Sequence, residues 1–247
     1  MRNDYIGAQA DINVWNPAVD LPDDFSTAQI WLKNGDGPIF ETVESGWTVN
    51  PKLYHDKATR FFVYWTGDSY KSTGCFDLTC SGFVQTSKQV VLGGTINPVS
   101  SPSGDQYHLT VGLFLDKNSS NWLLKVGPNN NATAVIGYWP GQLFKYLSHS
   151  ARVVQWGGEV YSTQIRTYPH TATAMGSGYY ASGLYGNACY MHYVRIMDDS
   201  PSFKYPEFAT AWSDDPTCYS ALNTIKGSGD EPVFYFGGPG RYLPYCP

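Results

Sequence analysis

The chain has 247 residues, 42% hydrophobic, 16% aromatic and only 15% charged, a balance that supplies a large core and excludes a disordered chain. A formal net charge of −5, a pI near 5.4 and the lack of any Lys/Arg cluster exclude phosphate-led binding of nucleic acid. No run approaches the ~20 apolar residues that span a bilayer, so no membrane partner is expected.

In chain order, runs rich in Val, Ile, Thr, Tyr, Phe and Trp fall at residues 10–15, 29–32, 39–49, 60–66, 82–86, 107–115, 122–126, 133–138, 152–156, 159–167, 188–197 and 233–236. Turn signals such as Asn34-Gly35-Asp36-Gly37 and Gly127-Pro128-Asn129-Asn130 separate them, and residues 98–103 read as a surface loop. The spacing predicts an all-β chain, an antiparallel sandwich or barrel. One segment departs from it. After Pro140, the side chains of Leu143, Phe144, Tyr146 and Leu147 fall at i, i+1, i+3 and i+4, which predicts one short helix within 140–147. No repeat or linker divides the chain, so a single domain over 1–247 is expected.

Cys75, Cys80, Cys189, Cys218 and Cys246 allow at most two bridges. Cys75 and Cys80 enclose four residues, which suits a bridge across a tight turn, and the cysteine spacings do not pair into zinc knuckles. Asn118-Ser119-Ser120 and Asn131-Ala132-Thr133 are sequons, making Asn118 and Asn131 candidate glycosylation sites. The opening Met1-Arg2-Asn3-Asp4 is polar and is no signal peptide; with the cysteines and sequons it reads as the start of a mature, secreted chain.

Two of the five Glu residues stand in unusual company. In the strand 39–49, Val43, Trp47 and Val49 share one face, and Glu44 lies on the other with Thr42 and Thr48. Gln155, Glu159 and Tyr161 share a face if their strand runs through Gly157-Gly158, a pair that permits a bulge or the close approach of another backbone. Two such carboxyls flanking a cleft would share one proton, which suits general acid–base hydrolysis. The bland reading of each is a solvated strand residue or a partner for a Tyr hydroxyl. Other nucleophiles fit less well. Cys189 and His192 face opposite sides of a strand, and Ser177 lacks the nucleophile-elbow pattern. His55, His108, His149, His170 and His192 show no metal-ligand spacing, so no metal and no cofactor are expected.

The runs Val43-Glu44-Ser45-Gly46-Trp47-Thr48-Val49-Asn50-Pro51, Tyr64-Trp65-Thr66 and Cys80-Ser81-Gly82-Phe83-Val84-Gln85 closely resemble the neprosin domain of plants. So do Gly137-Tyr138-Trp139-Pro140, Val154-Gln155-Trp156-Gly157-Gly158-Glu159-Val160 and residues 170–178, and the resemblance extends from about Gln9 to the end of the chain. It implies a secreted glutamic endopeptidase, a metal-free hydrolase that cuts after proline in acid and is made with an inhibitory propeptide. The implied fold is a jelly-roll or concanavalin-like sandwich of two curved antiparallel sheets, with the groove on a concave face. The catalytic pair maps onto Glu44 and Glu159, and the disulfides onto Cys75–Cys80 and Cys218–Cys246, leaving Cys189 as a free, buried thiol. The partner is then a proline-containing peptide or protein acted on by a monomer. A water held between the carboxyls would attack directly, with Glu159 the favoured base. Gln29 is a candidate oxyanion donor, and Trp47, Tyr64, Trp65 and Tyr161 are candidates for a shallow aromatic proline pocket. A two-carboxylate glycoside hydrolase and a lectin-like, cell-wall carbohydrate-binding protein are the alternatives.

Overall fold

Side chains alternate between two faces along each strand, and here one face of every long strand is apolar, so two sheets must close on each other. The computed structural model describes residues 4–128, 131–198, 200, 202–225 and 230–247. The turn residues Asn129 and Asn130 and the opening Met1-Arg2-Asn3 lie outside them.

The strands are β1 (Gly7–Asn13), β2 (Phe25–Asp36), β3 (Ile39–Val49), β4 (Arg60–Thr66), β5 (Val84–Gln85), β6 (His108–Asp116), β7 (Asn121–Gly127), β8 (Ala134–Trp139), β9 (Val153–Tyr161), β10 (Cys189–Met197), β11 (Ser220–Thr224) and β12 (Val233–Gly237). They form an eight-stranded sheet of order β11-β12-β10-β1-β6-β7-β8-β5 and a four-stranded sheet of order β4-β3-β2-β9. Neighbouring strands pair antiparallel throughout. The predicted all-β sandwich is the observed one.

The core lies between the sheets. Ala8, Ala10 and Ile12 of β1 and Val111, Leu113 and Leu115 of β6 meet Ala28, Ile30 and Leu32 of β2 and Val43 and Trp47 of β3. Each fully buried Ile or Leu among them contributes roughly 1.5–3 kcal/mol. The opposite face of β2, β3 and β9 carries the polar residues and forms the floor of the site.

Among the described residues the one short α-helix lies elsewhere than predicted. It is α1 (Pro51–Tyr54), started by the Asn50 side chain accepting from the Leu53 N–H at 3.1 Å and by Pro51 in the first turn, and ended by His55 at φ 62°. Segment 140–147 makes only a 3-10 turn, Gly141–Leu143, after which Phe144 is extended. The cause is a carboxylate. Buried Glu41 accepts the backbone N–H groups of Lys145, Tyr146 and Leu147 at 2.7, 2.8 and 2.8 Å, which fixes a non-helical course. The apolar spacing serves instead to drop Phe144 and Leu147 into the core.

β9 runs unbroken through Gly157-Gly158, with no register shift against β2, so two predicted strands are one. The close approach there comes from side chains: a Cβ on Gly158 would stand 2.8 Å from both Met175 and Phe236. β11 was missed because Ser-Ala-Leu-Asn-Thr is short, polar and only half-buried.

Disulfides join Cys75 to Cys80 and Cys218 to Cys246, and Cys189 is buried and free. By the chain-entropy model, the bridge spanning 28 residues should contribute about 3–4 kcal/mol and the one spanning 5 about 2 kcal/mol. Denaturant melts of paired Cys→Ser variants check this; equal losses would contradict the loop-length account. Among the described residues no helix is long and apolar enough to cross a membrane.

Candidate active site

Strand register puts the two carboxyls on one face. Glu44 of β3 lies opposite Trp31 of β2, and Glu159 of β9 lies opposite Thr27. Gln29 stands between them on β2 and is paired on one side with Gly46 and on the other with Gly157. Glycine on both flanks leaves a trough across three strands, floored only by Gln29. Gly46 admits no other residue, since a Cβ there would stand 2.0 Å from the Ala28 carbonyl oxygen.

The two carboxyls have different surroundings. Thr42 Oγ1 and Tyr70 Oη each donate to Glu44 Oε1 at 2.6 Å, and Gln29 Nε2 donates to Oε2 at 2.8 Å. The Trp31 indole adds a fourth donor. Burial pushes the Glu44 carboxyl above its ordinary range, and these donors pull it back by favouring the charged form. Glu159 is exposed as a residue, yet the protein packed around its carboxyl pushes it up to about 7, with the Glu44 charge adding to the rise, and among the described residues no side-chain donor opposes it. One proton on the pair therefore belongs on Glu159, with the negative charge on Glu44.

Tyr70 covers Glu44 and lines the groove above it. Its loop is held from two sides. Asp68 accepts the backbone N–H groups of Lys71, Ser72 and Thr73, and Ser69 exchanges hydrogen bonds with Phe40, its N–H donating to the carbonyl and its hydroxyl accepting the Phe40 N–H. Ser69 and Tyr70 sit at φ 65° and 62°, a left-handed course that these anchors impose.

Beside the pair lies an aromatic wall. Tyr64 faces Glu44 across β3 and β4, and Phe76 packs on Tyr64 at 4.7 Å and on Phe25 at 5.9 Å. Phe25 stacks on Tyr161 at 5.1 Å. The Cys75–Cys80 bridge closes the turn that presents Phe76. The groove continues as an open cleft of about 720 Å³ that takes in Thr42, Gln155 and Glu159 and is bounded opposite by residues 205–215, with Phe208 and Trp212 largely exposed.

The Neprosin family model matches residues 22–239, most of the chain and every residue of this site. The chain belongs to the neprosin family. Two crystal structures of scytalido-glutamic peptidase are similar in outline at 10% identity. One, with a peptide-based transition state analog, covers 96% of this chain and 93% of its own at a TM-score of 0.43. The other, with a transition state analog inhibitor, covers 95% and 92% at 0.41.

In this neprosin-family chain Glu44, Glu159, Gln29, Tyr64 and Tyr161 share the groove face of the smaller sheet. Trp47 and Trp65 do not. Both point into the core, Trp47 donating its indole N–H to the Asn13 carbonyl and Trp65 packing edge-on against Phe144, so neither lines the groove. Strand parity alone puts Trp47 on the face opposite Glu44. Trp31, Thr42, Tyr70, Phe25 and Phe76 were missing from the candidates. Trp31 was within reach, two residues from Gln29 on one strand face. Tyr70 and Phe76 lie in loops where no periodicity operates.

Proposed function

We propose that the chain is a secreted, acid-acting glutamic endopeptidase that hydrolyses the bond after proline. The carboxyl pair carries this reading: two Glu on one sheet face, Glu44 buried and ringed by donors, Glu159 exposed and without them, with Gln29 on the strand between. Gln29 Oε1 and Thr27 Oγ1 are buried without a hydrogen-bond partner, and both face the trough beside Glu159, where a water could meet them.

In the proposed cycle, ionised Glu44 takes a proton from this water as its oxygen attacks the scissile carbonyl. Protonated Glu159 hydrogen-bonds the carbonyl oxygen and then delivers its proton to the leaving amine. With one amide N–H committed to Glu44, Gln29 has a second for the oxyanion. Moving the proton from Glu44 back to Glu159 restores the starting state. The roles reverse the sequence-based preference for Glu159 as base, because Glu44 is buried with donors that hold its charge, and Glu159 has none among the described residues.

The wall of Phe25, Tyr64, Phe76 and Tyr161 suits a proline ring, which is apolar, compact and short. Two disulfides and the exposed Asn118 and Asn131 favour an oxidising, glycosylating route to the cell exterior. An inhibitory propeptide in a precursor would occupy the same groove, and a monomer suffices, since both carboxyls come from one chain. The test is a peptide with a single proline, incubated at acidic pH and read by mass spectrometry. Cleavage on the carboxyl side of proline is expected, and cleavage that ignores proline would refute the specificity.

Tyr70→Phe removes one charge-assisted hydrogen bond from Glu44, a loss of about 1.5–3 kcal/mol, or about 10–100-fold in kcat/KM. The less stabilised Glu44 charge should also move the acid limb of the pH profile to higher pH. A variant with unchanged kcat/KM and profile would remove Tyr70 from the machinery.

A further inference from the structure

The outer face of the eight-stranded sheet, on the far side of the core from Glu44, carries a second cluster of chemically active side chains. Asp11 of β1 lies opposite His192 of β10, and His108 of β6 lies diagonally across from it. Both imidazoles turn the same atom toward one carboxylate oxygen, with Nε2 of His108 3.4 Å and Nε2 of His192 3.7 Å from Asp11 Oδ2. The three donor atoms lie within 4.8 Å of one another. We infer that Asp11, His108 and His192 form a binding site for one divalent cation of the zinc class.

Distance favours this over simple hydrogen bonding. A hydrogen bond between these atoms would be about 2.7–3.2 Å. Ligands held about 2.0–2.1 Å from a tetrahedral zinc lie about 3.3 Å apart, close to the separations found here. The donor set also selects the metal. Two imidazoles and a carboxylate suit zinc and its borderline neighbours, whereas magnesium and calcium take oxygen ligands.

The backbone is shaped to bring the three together. Gln9 pairs with Arg195, but Asp11 pairs with His192, so β10 carries an extra residue. That residue is Tyr193 or its neighbour; Tyr193 stands at φ 49°, a conformation disfavoured for a bulky side chain. Without this bulge the register would set Tyr193 opposite Asp11 and turn His192 toward the core. The other carboxylate oxygen of Asp11 accepts from the Thr110 hydroxyl, which fixes the carboxylate's orientation as outer partners of metal ligands do. The rings of Tyr190 and Tyr193 pack on His192 at 5.2 and 4.6 Å and limit its rotation. Asp11 is 1% exposed, whereas the two His side chains are 25% and 24% exposed, so a cation could enter from solvent and keep a water as fourth ligand. The other close group, His170 with Cys218 and Cys246, is excluded because both sulfurs are in a disulfide.

The test is a calorimetric titration of the metal-free full chain with zinc chloride at about pH 7.5, above the ordinary imidazole range. One zinc per chain is expected. His108→Gln and His192→Ala should each abolish the binding, and Thr110→Val, which leaves all three ligands, should weaken it about 10–100-fold. The two His variants should melt like the wild type without zinc, lose the zinc-induced rise in Tm and keep peptide hydrolysis at acidic pH. A wild type that binds no zinc, or variants that bind it as tightly, would overturn the site.

Discussion

Replacing Glu159 with Gln is expected to abolish hydrolysis and, at the same time, to stabilise the fold above pH 7. The first effect follows from chemistry: Gln keeps the shape but has no acid proton to deliver, and losing general acid catalysis costs about 10²–10⁴-fold in kcat. The second follows from linkage. In the folded chain the Glu159 carboxyl keeps its proton up to about 7, against an ordinary value of 4.5. Between those values the folded state binds the proton and the unfolded state does not. The stability this proton gives is fully present below 4.5 and is lost as pH rises through about 7. Above that, the Glu159 charge faces the charge of Glu44. Gln carries no charge, so the variant should match the wild type near pH 4 and exceed it at pH 8, by about 1 kcal/mol, because water reaches this exposed residue and screens its charge. Glu44→Gln should be just as inactive but should lose about 1–3 kcal/mol, because Thr42, Tyr70 and Gln29 all donate to that carboxylate and an amide cannot accept from all of them. Melting curves at both pH values, measured beside peptide turnover, separate the outcomes. Substantial turnover in either variant would dismiss the pair, and a Glu159→Gln variant less stable than the wild type at pH 8 would dismiss the protonated Glu159.

The features legible in the sequence are those that strand parity controls. Alternation put Glu44 with Thr42 and Thr48 and put Glu159 with Gln155 and Tyr161, and the register keeps each set on one face. Parity cannot say which strands become neighbours. That Gln29 stands between the two Glu depends on β2 lying between β3 and β9, a fact of topology. Loops obey no period, so Tyr70, held by the turn around Asp68, and Phe76, held in the Cys75–Cys80 turn, left no signal. Long-range polar bonds override local pattern in the same way. Apolar spacing after Pro140 reads as a helix, yet Glu41, over a hundred residues earlier in the chain, takes the N–H groups a helix would need. The histidines show the converse. Their sequence spacing carries no ligand pattern, and only a bulge in β10 and the pairing of three strands bring His108 and His192 onto Asp11.

The pH profile of kcat/KM should be bell-shaped, with its upper limb near pH 7. Activity needs one proton on the pair, located on Glu159. As pH rises through about 7, Glu159 loses that proton, the leaving amine has no donor, and the rate falls tenfold per pH unit. As pH falls, Glu44 takes up a proton and ceases to act as base. Its four donors place that step below the first, so the active form occupies the window between them. The two limbs respond to different residues, which makes the assignment testable beyond the bell itself. Removing the Tyr70 hydroxyl weakens only the hold on charged Glu44 and should move the lower limb upward. Thr27→Val, beside Glu159 and bonded to neither carboxyl, should leave that limb in place. The measurement is kcat/KM from pH 3 to 9 on an unstructured proline peptide, with folding followed in parallel so that acid unfolding is not mistaken for titration. A plateau persisting to about pH 8, well above the ordinary Glu range, would mean that no proton is needed on the pair. In that case water activated between Glu44 and Glu159 could not be the mechanism.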